Sequence, residues 1–120
     1  MLYVPVVPGH VVIFLSHADD TALRLAGACA ATAASMGDRV DVFLFGAALA
    51  ALRAPAEDEE HPGSLLAQAR GLGSVRLVAC SASLVEARID LAEAERAFDA
   101  VVGWPTILEW SRGVVDRFFF

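Results

Sequence analysis

The sequence predicts an α/β fold, a three-layer α/β/α sandwich around a five-stranded, mostly parallel sheet, and two observations lead there. Short runs of β-branched and aromatic residues bounded by turn residues recur along the chain, the pattern of strands buried on both faces. Between them lie stretches with apolar residues at helical spacing, and strands that alternate with helices pair in parallel through right-handed crossovers. At 120 residues the chain has room for one such domain, expected to span residues 1–120.

The first strand is read at Val11 to Ser16. Ala22, Leu25, Ala26, Cys29, Ala30, Ala33 and Met36 then recur at helix spacing, with Asp19 or Asp20 as N-cap and Gly37 as the stop. A second strand is read at Val40 to Gly46. Ala47 to Leu52 opens a helix that resumes at Leu65, Leu66, Ala69 and Leu72. Between its halves, Arg53 to Gly63 carries four consecutive acids flanked by prolines, and is expected to be a solvated, mobile loop rather than a domain linker. The third strand is Val75 to Cys80. Helices follow it and the fourth strand, Ala100 to Trp104, with capping boxes read at Ser83 and Glu86, Asp90 and Glu93, and Thr106 and Glu109. Trp104-Pro105 reads as a fixed turn. The last run, Val114 to Phe120, is a fifth strand placed near an edge because Asp116 and Arg117 interrupt it.

Composition excludes several classes of function. A hydrophobic content of 57% and a mean hydropathy of +0.56 rule out a disordered tail, while the apolar runs are too short for a membrane span of about 20 residues. A net charge of −6 repels a phosphate backbone, so no direct nucleic-acid contact is expected. All nine basic residues are arginine, which removes lysine Schiff-base chemistry and any phosphate-gripping lysine. Two cysteines, Cys29 and Cys80, are too few for a disulfide framework and lack metal-site spacing. The N-terminus has no signal-peptide pattern, so a reducing, cytoplasmic setting is expected.

Ligands of such folds meet the carboxyl ends of the strands. Cys80 is the strong nucleophile there, closing its strand and opening the Ser81-Ala82-Ser83 turn into a helix, a setting that favours the thiolate. Ser81 and Ser83 could add hydroxyl donors. The alternative is that Cys80 is a small buried hydrophobe, as Cys29 is expected to be within its helical stripe. His17, Asp19 and Asp20 could form a base with its orienting acid or part of a metal site; the competing reading makes one Asp a helix cap and His17 a loop residue, and no metal or cofactor is implied. No Gly-rich phosphate loop follows the first strand, and a hydrolase built on Ser16, His17 and Asp19 would lack a nucleophile elbow. His61 reads as a solvated residue of the acidic loop. Trp104 and Trp110 read as core or subunit contacts. Phe118, Phe119 and Phe120 cannot all point inward from one strand, which implies an interface with another subunit.

These residues carry a resemblance. Asp19-Asp20 through Met36-Gly37-Asp38-Arg39-Val40 and Val42-Phe43-Leu44-Phe45-Gly46 resemble the opening half of the DsrE/DsrF-like (DsrEFH, TusD-like) sulfur-relay family. Val75-Arg76-Leu77-Val78-Ala79-Cys80-Ser81-Ala82-Ser83-Leu84 resembles its cysteine loop, and Ile107-Leu108-Glu109-Trp110 to Phe118 its closing helix and strand. The resemblance implies a small α/β sandwich that assembles as a homo-oligomer, a trimer or hexamer, and carries sulfane sulfur as a persulfide on Cys80. His17 could move a proton if it faces the same mouth. Sulfur-donor and sulfur-acceptor proteins would be the partners. The Gly46-Ala47-Ala48-Leu49 turn and the acidic loop depart from the family pattern. A non-catalytic oligomeric subunit or small-ligand binding module, with Cys80 structural, is the alternative.

Overall fold

The computed structural model describes residues 9–53, 58–114 and 116–120. The readings made for residues 1–8, for 54–57 of the acidic loop and for Val115 lie outside them. The described elements run β1 (His10–Leu15), α1 (Asp20–Ser35), β2 (Arg39–Leu44), α2 (Ala47–Ala51), α3 (Ser64–Arg70), β3 (Val75–Cys80), α4 (Ser81–Glu86), α5 (Leu91–Ala97), β4 (Ala100–Val102), α6 (Trp104–Trp110) and β5 (Asp116–Phe119). Every strand pairing is parallel, in the order β4-β3-β2-β1-β5.

That order decides which face each helix covers. From β1 to β4 each crossover steps to the same side, so crossovers of one hand lay α1 to α5 on one face; the return from β4 to β5 reverses direction and sends α6 to the other. The two cores agree. On the first face Val11, Ile13, Leu15, Val40, Val42, Leu44, Leu77 and Ala79 pack with Ala26, Leu49, Leu66, Leu84 and Ala94 of the five helices. On the second, Val12, Phe14, Phe43, Val78 and Cys80 share a cluster with Ile107, the buried residue of α6. One seven-residue helix is all that covers the second face among the described residues.

α1 and α3 approach at backbone distance. A Cβ at Gly27 would lie 2.6 Å from Leu65 Cβ and 2.7 Å from the Leu66 backbone nitrogen, so only hydrogen fits. Gly27→Ala is therefore expected to lower stability by about 2 kcal/mol in urea unfolding, because overpacking against backbone outweighs the roughly 1 kcal/mol gain in helix propensity.

Several local readings need correction. The Ala47–Leu52 and Leu65–Leu72 stretches form two helices rather than one resumed helix, and Leu72 lies beyond the second, exposed. Ser83 and Thr106 are not caps: β3 and β4 pass almost directly into helices, so Cys80 and Gly103 take the N-cap positions. Trp104-Pro105 is accordingly the first turn of α6, where a proline without its N–H is tolerated. Asp90 caps α5 as read, accepting the Glu93 N–H at 2.8 Å, while the Glu93 carboxylate turns instead to Arg53 in a bidentate pair.

Candidate functional site

β3 and β4 are neighbours, with Cys80 opposite Val102. After β3 the chain passes into α4 on the first face; after β4 it passes into α6 on the second. The two exits diverge between Cys80 and Gly103, which makes this the switch point where α/β sheets open a crevice at the strands' carboxyl ends. The gap is tight at its floor: a Cβ on Gly103 would stand 3.4 Å from Ser81 Oγ.

Cys80 is the last residue of β3 and the N-cap of α4, with extended backbone and no side-chain bond to the helix's first turn. Its side chain faces α6 and is 1% exposed in the protomer. On the same face, extending from β2 across β1 to β5, lies an aromatic cluster that sequence reasoning did not assemble. Trp104 stands edge-on to Phe43 and Phe45 at ring distances of 5.1 and 5.2 Å, and Phe119 stacks on Phe14 at 4.8 Å. The outer members reach solvent, Trp104 at 40% and Phe119 at 72%.

The predicted supporting residues are distributed differently from the sequence reading. Ser81 and Ser83 belong to α4 rather than a loop. Ser83 is buried, and its hydroxyl accepts the Gly46 N–H at 3.0 Å, clamping the β2–α2 turn whose Gly46 has φ +60. On the other side of that turn, Ala48 N–H donates to the Ser16 carbonyl at 3.1 Å. His17 is exposed and bonds only its neighbour Ser16 Oγ among the described residues, at 3.1 Å. It follows β1, and β2 lies between β1 and β3, so two strand spacings, about 10 Å, separate its strand from that of Cys80. Asp19 is the N-cap of α1, accepting the Ala22 N–H at 3.1 Å. The structure thus brings Ser81 and Ser83 to the Cys80 strand end and leaves His17 and Asp19 outside it. No cluster of three metal-ligating side chains occurs among the described residues.

Cys29, half-buried on α1, packs against the first core. Burial, and secondarily the Asp116 carboxylate, push its thiol above the ordinary value, which keeps it protonated and weakly nucleophilic at neutral pH.

At the opposite end of the α6 face sits a polar group that the sequence reading passed over. Asp41, 1% exposed, accepts from Arg76 Nε at 2.7 Å and pairs with His10 Nε2 at 2.6 Å; the Arg76 guanidinium lies 5.1 Å from the centre of the Trp110 ring. The signal was a charge inside each of two apolar strand runs. What joins them is the β2–β3 register, which sets Asp41 opposite Arg76.

A model of the DsrE/DsrF-like family matches residues 10–112. Among solved structures, the chain is similar to a protein of unknown function, MTH1491, from Methanobacterium thermoautotrophicum (20% identity, 91% of this chain and 98% of that one, TM-score 0.64). It is also similar to the ychN protein from E. coli (19% identity, 93% and 99% coverage, TM-score 0.67). At such identities the likeness shows the fold alone. No curated protein matches the chain. No helix among the described residues is long and apolar enough to cross a membrane.

Proposed function

The chain belongs to the DsrE/DsrF-like family, and from that premise we propose that it is an intracellular sulfur carrier that passes sulfane sulfur through a persulfide on Cys80. The observation that carries this reading is the place of Cys80: the sole cysteine at the sheet's carboxyl edge, the N-cap of α4, at the point where α4 and α6 part.

The relay balances without an external oxidant. The Cys80 thiolate attacks the outer sulfur of a donor persulfide, a new S–S bond forms on Cys80, and the donor thiolate leaves with the electron pair of the broken bond. An acceptor thiolate then attacks the outer sulfur of the Cys80 persulfide, and the Cys80 thiolate departs. His17 takes no part, being two strands away and exposed. Because Cys80 is 1% exposed at rest, donor and acceptor reach it through local displacement of α6, whose one buried residue is Ile107. The exposed rings of Trp104 and Phe119, both against Phe14 on the α6 face, are the surface proposed for assembly with further copies or for donor and acceptor proteins.

The burial of Cys80 favours a second reading, a non-catalytic oligomeric subunit or small-ligand module in which the thiol only packs. Intact-mass spectrometry of the native protein after incubation with a persulfide donor separates the two. The relay predicts a reducible adduct of one sulfur atom, about 32 Da, on Cys80, with slow alkylation of Cys29 as the internal comparator. A native Cys80 that takes up no sulfur and is alkylated only on unfolding establishes the second reading.

A further inference from the structure

Asp41 lies on the second face with the apolar Val12, Phe14, Phe43 and Val78, a setting in which replacing a buried ion pair by apolar side chains is often neutral or stabilising. Its surroundings are those of an orienting carboxylate. One oxygen fixes Arg76 through Nε and the other fixes His10 through Nε2, while the indole of Trp110 lies against the guanidinium. Arg76 is thereby held in one pose with its two Nη groups unbonded among the described residues, and its side chain is 43% exposed. Arg39, exposed and on the same face, likewise makes no side-chain hydrogen bond among them. These five residues, His10, Arg39, Asp41, Arg76 and Trp110, line a cleft of about 240 Å³. Two guanidiniums face one carboxylate there, an excess of positive charge in a chain whose net charge is −6. Asp38, the residue before β2, does not line the cleft, and its carboxylate accepts the Gly9 N–H at 2.9 Å.

We propose that this cleft is a binding site for a small oxyanion, a carboxylate or phosphate group on a compact molecule, gripped by the Nη edge of Arg76 and by Arg39. A guanidinium fork fixed in advance matches two oxygens of such a group at little ordering cost. The cleft is smaller than the roughly 300–1,000 Å³ of sites for drug-sized ligands, which limits the occupant to a small molecule. Arg76 lies four residues before Cys80 on β3, about 13 Å along the strand, so the site is distinct from the cysteine crevice and the inference does not depend on sulfur chemistry. Asp41 is a positioning residue, since it touches Arg76 and His10 rather than the ligand.

The experiment is a titration of the full chain with benzoate and, separately, with inorganic phosphate, followed by the NMR signals of Arg76 Nε–H and Trp110 Nε1–H. Neutral benzamide is the control. Saturable shifts of both signals with at least one anion, absent with benzamide, are expected; a response to phosphate alone assigns a phosphate ligand, and one to benzoate alone a carboxylate. Arg39→Gln, at an exposed position, is expected to weaken binding about tenfold, and Arg76→Gln to abolish it where that variant folds. Shifts that never saturate, that benzamide reproduces, or that persist at unchanged affinity in Arg39→Gln overturn the proposal.

Discussion

Cys80→Ser is expected to abolish sulfur uptake and transfer altogether. A serine hydroxyl cannot form the S–S bond that holds the cargo, and no other cysteine lies at the sheet's carboxyl edge to take over. Cys29 is on α1, packed against the core on the other face of the sheet, with a thiol that burial and Asp116 keep protonated. The serine variant also sets a hydroxyl among Val12, Phe14, Phe43, Val78 and Ile107, at a cost of about 1–3 kcal/mol if it finds no partner. Cys80→Ala avoids that burden, and the pair of variants separates lost chemistry from lost stability. Both are expected to lack the sulfur adduct while Cys29→Ser retains it. Transfer from a labelled persulfide donor to an acceptor thiol, read by mass in a single turnover, is the measurement. Undiminished transfer by a folded Cys80→Ala protein would remove Cys80 from the mechanism.

Much of this arrangement was legible in the residues. Parallel strands buried on both faces read as unbroken apolar runs, and β1, β2 and β3 lie within one or two residues of where the runs place them. Asp19 and Asp90 were readable as caps because a short acid three residues before a backbone N–H is a local device. Ser83 and Thr106 carry the same local pattern and were misread. Their helices begin three residues earlier than those caps imply, because β3 and β4 end against them without an intervening loop. Strand order was not legible, and everything that depends on it was hidden: α6 as the one helix on the second face among the described residues, the two-strand separation of His17 from Cys80, and the parting of α4 and α6 at the crevice. The partnership of Asp41 and Arg76 was hidden for the same reason. Each looks like a flaw in its own strand until the β2–β3 register sets them side by side.

Arg76→Met is expected to lower stability by about 3 kcal/mol. It strands the Asp41 carboxylate, 1% exposed, with His10 as its one remaining side-chain partner among the described residues. Removing one partner of a buried charge pair typically costs about 3–5 kcal/mol, and the low end applies because Arg76 is itself 43% exposed and its charge is partly screened. The opposite sign is expected when the group is replaced whole. Arg76→Met combined with Asp41→Val and His10→Leu removes the carboxylate along with its partners, and this variant is expected to be at least as stable as the parent. Urea unfolding of the single and triple variants measures both quantities, and their non-additivity reads the coupling among the three residues directly. A triple variant several kcal/mol below the parent would mean that Asp41, Arg76 and His10 hold the second face together, and stability alone would account for them. A triple variant at or above the parent means that stability does not explain the buried Asp41 carboxylate, which is the outcome expected of a group that serves to orient Arg76.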